Sequence, residues 1–303
     1  MNVLVIGAGV SGLSCALRLL QAGHSVDIWT RDLPQDTTSS VAAALWYPYL
    51  AEPMRRVLPW SAVTFKELVR LSENVQTGVI MRDGCEIFRR PQAEEAWWRS
   101  AVPSYRRAMT EELPEGFADG YFASVPIIDM SIYLGWLEGE VRAQGAMFTQ
   151  RSVTDVRDAQ PVADIVVNCT GVGAREVSHD FEVYGVRGQV QVVKAPGITR
   201  YFLDDEGPTY IIPRVNDVVL GGTAQEHEYD TAVNTADAVL LRARCDALMP
   251  ELANAPLLRS KVGIRPCRVT VRLEEEEIDG LRVIHNYGHG GAGVTLSWGC
   301  ADE

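Results

Sequence analysis

The chain has 303 residues, 47% of them hydrophobic, with 28 lysine and arginine residues against 40 aspartate and glutamate residues. This length is enough to bury a core in one large domain or in two. The formal net charge of -12 argues against a surface that binds nucleic acid or anionic membranes, and it favours small-molecule partners.

Cysteine usage and the absence of targeting signals predict a cytoplasmic protein. The six cysteines are scattered without a CxxC pair, which favours reduced, structural thiols. The amino terminus has no basic segment, no apolar run reaches the ~20 residues that a membrane helix needs, and no C-terminal Ser-Lys-Leu is present. We therefore expect no membrane span.

The amino terminus has the pattern strand, turn, helix. An apolar run at residues 3–6 is followed by Gly7-Ala-Gly-Val-Ser-Gly12 and by a helical spacing of apolar residues over 13–20. In a dinucleotide-binding fingerprint Gly7 forms the tight turn, Gly9 lets the backbone approach a pyrophosphate, and Gly12 permits close packing of the helix. The segment predicts a dinucleotide site.

The second strand departs from the usual fingerprint at its end. Gly23 ends the helix before an apolar strand at 25–29, and Thr30-Arg31-Asp32 follows, where an acid usually binds the ribose. Asp32 lies late for that role. Arg31 is predicted to pack on the adenine or to reach a phosphate, and the alternative is an ordinary solvated arginine.

A polar run at 35–40 leads abruptly into an apolar segment at 41–50. Its small residues let the main chain lie beside a ring system. Trp46, Tyr47 and Tyr49 either form aromatic walls with polar groups around a site or pack in the core. Helices are predicted at 60–72, 130–145 and 235–248. Short strands are expected between 78 and 122.

The segment 163–171 contains the continuous apolar run Ile165-Val-Val and ends in a turn, which predicts a buried parallel strand of the first sheet. Its exit at Thr170 and Gly171 would lie at the carboxyl edge, where open α/β folds bind ligands. Apolar and alternating runs between 183 and 223 predict antiparallel strands. The nucleotide domain is therefore expected to be discontinuous, with a second domain built from insertions.

The chain closes with a short strand at 281–284 and a run of four glycines between Gly288 and Gly293. We predict that this run is a loop laid against a flat ligand, with no helix after it; a flexible surface loop is the alternative. His285 and His289 have the spacing of a metal pair on a helix, but Gly288 lies between them, so we predict no metal site.

Three separated segments carry a resemblance: Gly207-Pro-Thr-Tyr-Ile-Ile-Pro213, Gly263-Ile-Arg-Pro-Cys-Arg268 and His285-Asn-Tyr-Gly-His-Gly-Gly291. In this order and spacing, together with the amino-terminal motif, they resemble the D-amino-acid oxidase family. The resemblance implies an enzyme with non-covalent FAD. It would oxidise a D-amino acid by direct hydride transfer from Cα to flavin N5, giving a 2-oxo acid, ammonia and hydrogen peroxide from oxygen.

The resemblance also implies the fold. It is an α/β protein with a discontinuous Rossmann-like FAD-binding domain and a second α+β substrate domain built on an antiparallel sheet. The FAD-binding domain is predicted at 1–73, 126–178 and 264–303, and the substrate-binding domain at 74–125 and 179–263.

Arg265, Tyr210 and Gly291 match the family's substrate-binding residues. Arg265 would pair with the substrate carboxylate as a bidentate fork, Tyr210 would share that carboxylate, and the Gly291 carbonyl would accept a hydrogen bond from the amine. Arg268 and Arg272 are at even-numbered positions and Arg265 is at an odd one, so on a strand they would face the side opposite to Arg265. The alternative for Arg265 is a surface salt bridge with the acidic cluster at 274–277.

The residues that match family contacts to FAD fall into three groups along the cofactor. On the AMP and pyrophosphate side the resemblance implies Gly7, Gly9, Val10, Ser11, Gly12 and Arg31. Near the flavin it implies Ala43, Ala44, Leu45, Gly290, Gly293 and Thr295, and on the adenine and ribose side Val153, Thr170 and Gly171.

Ala224 stands where related D-aspartate oxidases carry an additional arginine. A side-chain carboxylate would lack a partner there, so neutral D-amino acids are favoured as substrates, with oxygen as acceptor. The alternatives are a D-aspartate oxidase, an oxidase of glycine or N-methyl amino acids, and a non-enzymatic flavin-binding protein. An NAD-dependent dehydrogenase is favoured only by the amino-terminal glycines. The oligomeric state stays open, with a homodimer as one alternative.

Overall fold

The computed structural model describes residues 1–160, 162–204 and 206–303. Its helices are α1 (Val10–Gln21), α2 (Met54–Leu71), α3 (Met130–Ala143), α4 (Ala174–Val177), α5 (Thr235–Leu248) and α6 (Gly293–Asp302). Its strands are β1 (Asn2–Ile6), β2 (Ser25–Thr30), β3 (Val79–Phe88), β4 (Arg106–Arg107), β5 (Asp119–Ile128), β6 (Met147–Gln150), β7 (Ile165–Asn168), β8 (Tyr184–Val193), β9 (Tyr201–Asp204), β10 (Thr209–Pro213), β11 (Val218–Gly221), β12 (Gln225–Glu226), β13 (Leu257–Ile278) and β14 (Leu281–His289).

One end of the sheet is parallel, in the order β14-β7-β1-β2-β6. Strand β1 is buried on both faces: Val3 and Val5 pack in the core that includes α1 and α3, whereas Leu4 and Ile6 pack in a second core on the other face. Burial on both faces explains why β1 and β7 are continuous apolar runs. The predicted parallel strand after residue 163 is confirmed as β7, and the helix predicted at 130–145 is confirmed as α3.

The other end of the sheet is largely antiparallel, in the order β4-β5-β3-β9-β10-β11-β8-β13. The antiparallel strands predicted between 183 and 223 are confirmed, although β9 also pairs in parallel with β3. Helix α5 covers β8, β10 and β11, where Leu241 and Cys245 are fully buried. This helix has the bounds predicted for it. The α/β fold class is therefore confirmed.

Strand β13 joins the two ends of the sheet. Its first half pairs with β8 and its second half with β14, with a shift of register between Cys267 and Arg272. The predicted boundary between 263 and 264 falls inside this strand. The division into two domains stays a prediction.

The end of the chain differs from the prediction. Gly288 and His289 end β14, Gly290–Ala292 forms a single 3-10 turn, and α6 begins at Gly293. The predicted loop without a following helix is therefore wrong. Packing overrides the weak helix propensity of glycine, because α6 buries Leu296 and Trp298 and approaches α2 so closely that a Cβ on Gly299 would lie 2.2 Å from the Trp60 carbonyl oxygen.

The helix predicted at 60–72 also begins earlier, since α2 starts at Met54 directly after Pro53. Pro59 within this helix obscured the pattern of the first turns. Among the described residues we find no helix with the length and hydrophobicity needed to cross a bilayer.

Candidate active site

A cavity of about 990 Å³ lies between the parallel and antiparallel parts of the sheet. The segments that follow β1, β2 and β7 form one part of its wall, and residues of β8, β10 and β13 form another. This volume is at the upper end of the range of about 300–1,000 Å³ for small-molecule sites. Of the residues that the resemblance implies as contacts to substrate or FAD, Gly12 and Thr295 lie outside its wall.

The glycine motif shapes the end of the cavity at α1. A Cβ on Gly12 would lie 1.9 Å from the Gly7 carbonyl oxygen, so α1 packs directly on the turn. Gly7 has a φ of +110°, and a Cβ there would lie 2.5 Å from the Cys169 carbonyl oxygen. Both positions therefore require glycine. Gly9, Val10 and Ser11 line the cavity at the positive end of the helix dipole, and the first turn of α1 carries no acidic side chain.

Arg31 and Asp32 form an ion pair beside this end of the cavity. The Nε and Nη2 atoms of Arg31 donate to Asp32 Oδ2 at 2.9 and 2.7 Å. The Arg31 side chain is 69% exposed, and both residues line the cavity, as do Val153, Thr170 and Gly171. Asp32 therefore holds Arg31 at the open edge, which is compatible with both predicted interpretations of this arginine.

The middle of the cavity is lined by main chain and small side chains. Ala43, Ala44 and Leu45 line one side, and the Ala44 carbonyl is fixed by the backbone N–H of Ile128 at 2.9 Å. Thr295 lies behind the wall. Its hydroxyl donates to the Tyr47 carbonyl at 3.0 Å and accepts from the Tyr47 N–H at 3.1 Å, so it holds that segment in place. Gly290 and Gly293 line the facing turn.

Arg265 and Tyr210 lie next to each other in another part of the cavity wall. Arg265 Nη1 donates to the Thr223 carbonyl at 2.9 Å, and a Cβ on Gly188 would lie 2.4 Å from the same nitrogen. The guanidinium therefore lies flat on the backbone of β8 at Gly188, where no side chain intervenes. A Cβ on Gly221 would likewise lie 1.9 Å from the Tyr210 ring, so glycines on two strands make room for both side chains.

The electrostatics around Arg265 and Tyr210 suit the binding of an anion. Burial raises the pKa of Tyr210, and the neighbouring Arg265 opposes that rise. Tyr210 therefore stays a neutral hydroxyl that donates a hydrogen bond next to a permanently charged guanidinium. A carboxylate is the ligand that best matches such a pair.

Arg268 and Arg272 of β13 face away from the cavity, as predicted. Arg268 Nε donates to Asp180 Oδ2 at 3.0 Å, and Arg272 Nη1 donates to the Tyr287 hydroxyl at 2.7 Å. The acidic cluster at 274–277 pairs with Arg272 and Arg282. The alternative in which Arg265 pairs with that cluster is thus wrong, because the side chain of Arg265 lies on the cavity side of the strand.

Gly291 is covered by the ring of Tyr49, which lies beside the ring of Tyr47. A Cβ on Gly291 would lie 2.7 Å from Tyr49 Cδ1. The Tyr49 ring lies 6.3 Å from the Tyr47 ring, measured between centroids, and the Tyr47 hydroxyl donates to Glu86 Oε1 at 2.5 Å. Tyr47 and Tyr49 line the cavity as the predicted aromatic walls, whereas Trp46 belongs to the core.

Several residues of the cavity were missed by the sequence interpretation. Ser39 Oγ accepts from the Val10 N–H at 3.0 Å, and the polar run at 37–39 lines the phosphate end. Gly188 lies in the segment Arg187-Gly-Gln189, to which the sequence interpretation gave no role. Glu86 lies in a strand segment with no recognisable signal, because its neighbours in space come from distant parts of the chain.

The two histidines of the closing segment lie on β14, and each contacts a different side chain. His285 Nε2 lies 3.0 Å from Glu276 Oε2, and His289 Nε2 lies 2.9 Å from Asn286 Oδ1. Within the residues that the structure describes, no group of three or more His, Cys, Asp or Glu side chains is arranged to hold a metal ion.

We expect stability to fall in mild acid because of His289. Burial lowers the pKa of His289 from 6.5 to about 4, so the native imidazole stays neutral. The unfolded chain then binds more protons between pH 6.5 and 4, and the free energy of unfolding decreases as the pH falls through that window. The expected loss from this group is about 2 kcal/mol between pH 7 and 5. Urea unfolding at several pH values measures it, and a His289→Gln variant that keeps the full slope would contradict the assignment.

Comparison with known proteins identifies the family of this chain. A family model described as FAD dependent oxidoreductase matches residues 2–303. The chain belongs to this FAD-dependent oxidoreductase family. It is 47% identical over 306 residues to a D-amino-acid oxidase of Rubrobacter xylanophilus, covering 100% of this chain and 94% of that protein. It is 41% identical to a D-amino-acid oxidase of Dictyostelium discoideum, covering 100% of this chain and 90% of that protein.

The family fold is also found among solved structures. Glycine oxidase from Geobacillus kaustophilus superposes with a TM-score of 0.84 over 99% of this chain and 92% of that chain, at 22% identity. At this identity the likeness shows the shared fold. FAD is the cofactor of the family. The cavity fits it, because Gly7 and Gly9 leave main chain bare at the helix terminus where a pyrophosphate binds.

Proposed function

We propose that this member of the family is a D-amino-acid oxidase, which deaminates D-amino acids with non-covalently bound FAD. The observation that carries the proposal is the pairing of Arg265 with Tyr210 in the wall of a cavity that the glycine turn before α1 also lines. The two full-length relatives named D-amino-acid oxidase support it.

The substrate would be oriented by three groups. Arg265 and Tyr210 bind its carboxylate, and the Gly291 carbonyl accepts a hydrogen bond from its amine. Because Arg265 is fixed by Gly188 and Thr223, the Cα–H bond is presented in one direction. No side chain has to act as a base on a neutral amine, so catalysis is mainly orientation.

The cofactor would be held along the rest of the cavity. The turn and helix terminus from Gly7 to Gly12 hold the pyrophosphate, and Arg31, Val153, Thr170 and Gly171 hold the adenosine side. The segment from Ala43 to Leu45 and the turn from Gly290 to Gly293 lie on the flavin side, supported by Thr295. Bound FAD supplies a two-electron acceptor for the hydride of the substrate Cα, and oxygen takes up these electrons with two protons as hydrogen peroxide. The imino acid then hydrolyses to a 2-oxo acid and ammonia.

The proposal also includes the division of the chain. The FAD-binding part comprises 1–73, 126–178 and 264–303, and the substrate-binding part comprises 74–125 and 179–263. Ala224 lines the cavity without a charge for an acidic side chain, which favours neutral D-amino acids over D-aspartate.

An anaerobic visible spectrum tests the proposed function. We expect D-alanine or D-methionine to bleach the flavin absorbance of the purified protein, and the L-isomers to leave it unchanged. Bleaching by glycine or N-methyl amino acids alone would favour the related amine oxidases. A flavin that stays oxidised with all of these amino acids would contradict an oxidase function.

A further inference from the structure

The segment Arg187-Gly-Gln189 has no role in the reaction described so far, although its middle residue lies against Arg265. It belongs to β8, where side chains alternate between the two faces of the sheet. Gly188 lines the cavity, whereas Arg187 and Gln189 are buried on the opposite face, towards α5. These two polar side chains therefore act from the side of the sheet away from the substrate.

Arg187 holds the chain between β12 and α5. It is 3% exposed, and its Nε donates to the Asp230 carbonyl at 2.8 Å while its Nη2 donates to the Ala232 carbonyl at 2.7 Å. Its Nη1 donates to Gln225 Oε1 at 2.7 Å and to Asp237 Oδ2 at 3.0 Å. A planar guanidinium with donors in fixed directions suits this set of acceptors, so the path of the chain past Arg187 is fixed at several points.

Gln189 holds both ends of the same stretch of chain. Its side-chain Oε1 accepts from the Asn234 N–H and its Nε2 donates to the Asn234 carbonyl, both at 2.8 Å. Its backbone N–H donates to Thr223 Oγ1, also at 2.8 Å. Residues 223–234, which we call the anchored segment, are therefore held by Gln189 at each end and by Arg187 in between.

The anchored segment reaches the cavity at Thr223. Thr223, Ala224 and Thr231 line the cavity, and the Thr223 carbonyl accepts the hydrogen bond from Arg265 Nη1 at 2.9 Å. Thr223 therefore has two contacts that point in different directions: its carbonyl fixes Arg265, and its hydroxyl is fixed by the Gln189 N–H. A continuous chain of hydrogen bonds runs from Asn234 to the guanidinium of Arg265.

The direction of the Arg265 guanidinium matters more for the reaction than its charge does. The charge alone attracts a carboxylate, but bidentate pairing requires the planar group to lie in one orientation. A displacement of about 1 Å in such a positioning contact can cost about 100-fold in rate, because the reacting bond is then misaligned. A contact that only orients Arg265 is therefore expected to affect the reaction more strongly than binding.

We propose that Thr223 is a positioning residue for the oxidation of D-amino acids, and that Arg187 and Gln189 hold it in place from the opposite face of β8. The inference rests on the proposed function, in which Arg265 binds the substrate carboxylate. Thr223 acts through Arg265: its carbonyl sets the direction in which the guanidinium meets the carboxylate, and this direction sets the orientation of the substrate Cα–H bond.

Thr223→Val tests the proposal, because it keeps the shape of the side chain but removes the acceptor of the Gln189 N–H. We expect the rate constant of flavin reduction by saturating D-methionine, measured anaerobically per bound flavin, to fall at least about tenfold. Arg265 keeps its charge, so the Kd of hexanoate, titrated into the holoenzyme through the flavin spectrum, is expected to rise only about threefold. Thr223→Ser keeps the acceptor and is expected to restore both values to within about twofold of wild type.

A pair of arginine variants separates positioning from a general loss of stability. Arg187→Lys keeps a positive charge beside Asp237 but loses the planar fork, so we expect the same pattern as in Thr223→Val. Arg242 is the matched control, because on α5 it likewise donates to backbone carbonyls, those of Ala253 and Ala255 at 3.1 and 3.2 Å. Those carbonyls belong to residues outside the cavity wall. Arg242→Lys is therefore expected to lower the melting temperature and to leave the reduction rate per bound flavin unchanged.

The outcomes separate this inference from the proposed function. A wild-type reduction rate in Thr223→Val would overturn the positioning role and leave the oxidase function intact. A loss that Thr223→Ser or Arg242→Lys shares would likewise overturn it, because the loss would then be structural. If no D-amino acid reduces the wild-type flavin, the oxidase function fails and hexanoate decides. An affinity that falls in Thr223→Val and returns in Thr223→Ser would keep Thr223 as the residue that orients Arg265 for an anion, and an unchanged affinity would overturn that role.

Discussion

Replacing Arg265 with alanine is expected to lower kcat/KM for D-methionine by about 10²- to 10³-fold, with flavin content unchanged. The substrate carboxylate would lose its bidentate partner in a buried site, where an unpaired charge is costly. The flavin should stay bound, because Arg265 is not among the residues predicted to contact FAD and its Nη1 donates to the Thr223 carbonyl. Steady-state kinetics and the flavin-to-protein absorbance ratio measure the two effects.

Two further variants make the test of Arg265 specific. Arg265→Lys keeps a point charge without the planar fork and should fall between wild type and alanine. Gly188→Ala keeps Arg265 but would place a Cβ 2.4 Å from Nη1, so it should lower kcat/KM by moving the guanidinium. The exposed Arg90→Ala is the control. Wild-type kinetics in Arg265→Ala would refute carboxylate binding by this residue.

Replacing Gly12 with alanine is expected to yield protein largely without flavin. The added Cβ would lie 1.9 Å from the Gly7 carbonyl oxygen, so α1 would have to move away from the turn that faces the pyrophosphate. Overpacking of this kind costs about 1–3 kcal/mol in stability, and the displaced helix terminus also loses its contact with the phosphates. Flavin absorbance after purification and the melting temperature report the two losses.

A matched glycine elsewhere separates this steric effect from a general effect of glycine replacement. Gly139 lies on the exposed side of α3, and a Cβ there would meet no atom within 4 Å. Gly139→Ala should keep full flavin and raise stability by about 0.5–1 kcal/mol through helix propensity. Full flavin occupancy in Gly12→Ala would show that close packing at this turn is not required.

Much of the nucleotide half could be predicted from local sequence. The apolar strand, the glycine spacing and the helix of the first 21 residues form one contiguous unit, and its pattern follows from burial on both faces of β1. The opposite orientation of Arg265 and Arg268 could also be predicted locally, because side chains alternate between the two faces along one strand. The loop predicted for the final glycines was wrong because packing on α1 and α2 is not visible in local propensity.

The sequence by itself determined the α/β class, the dinucleotide turn and the residues suited to bind a carboxylate, because each depends on the residue types and spacing within one short segment. Only the tertiary structure decided what surrounds them. Gly188 lies against the Arg265 guanidinium because β8 pairs with β13. Glu86 and Tyr210 lie in one row of the sheet because β9 pairs with both of their strands. Contacts between segments far apart in the chain depend on strand order and register, which no single segment encodes.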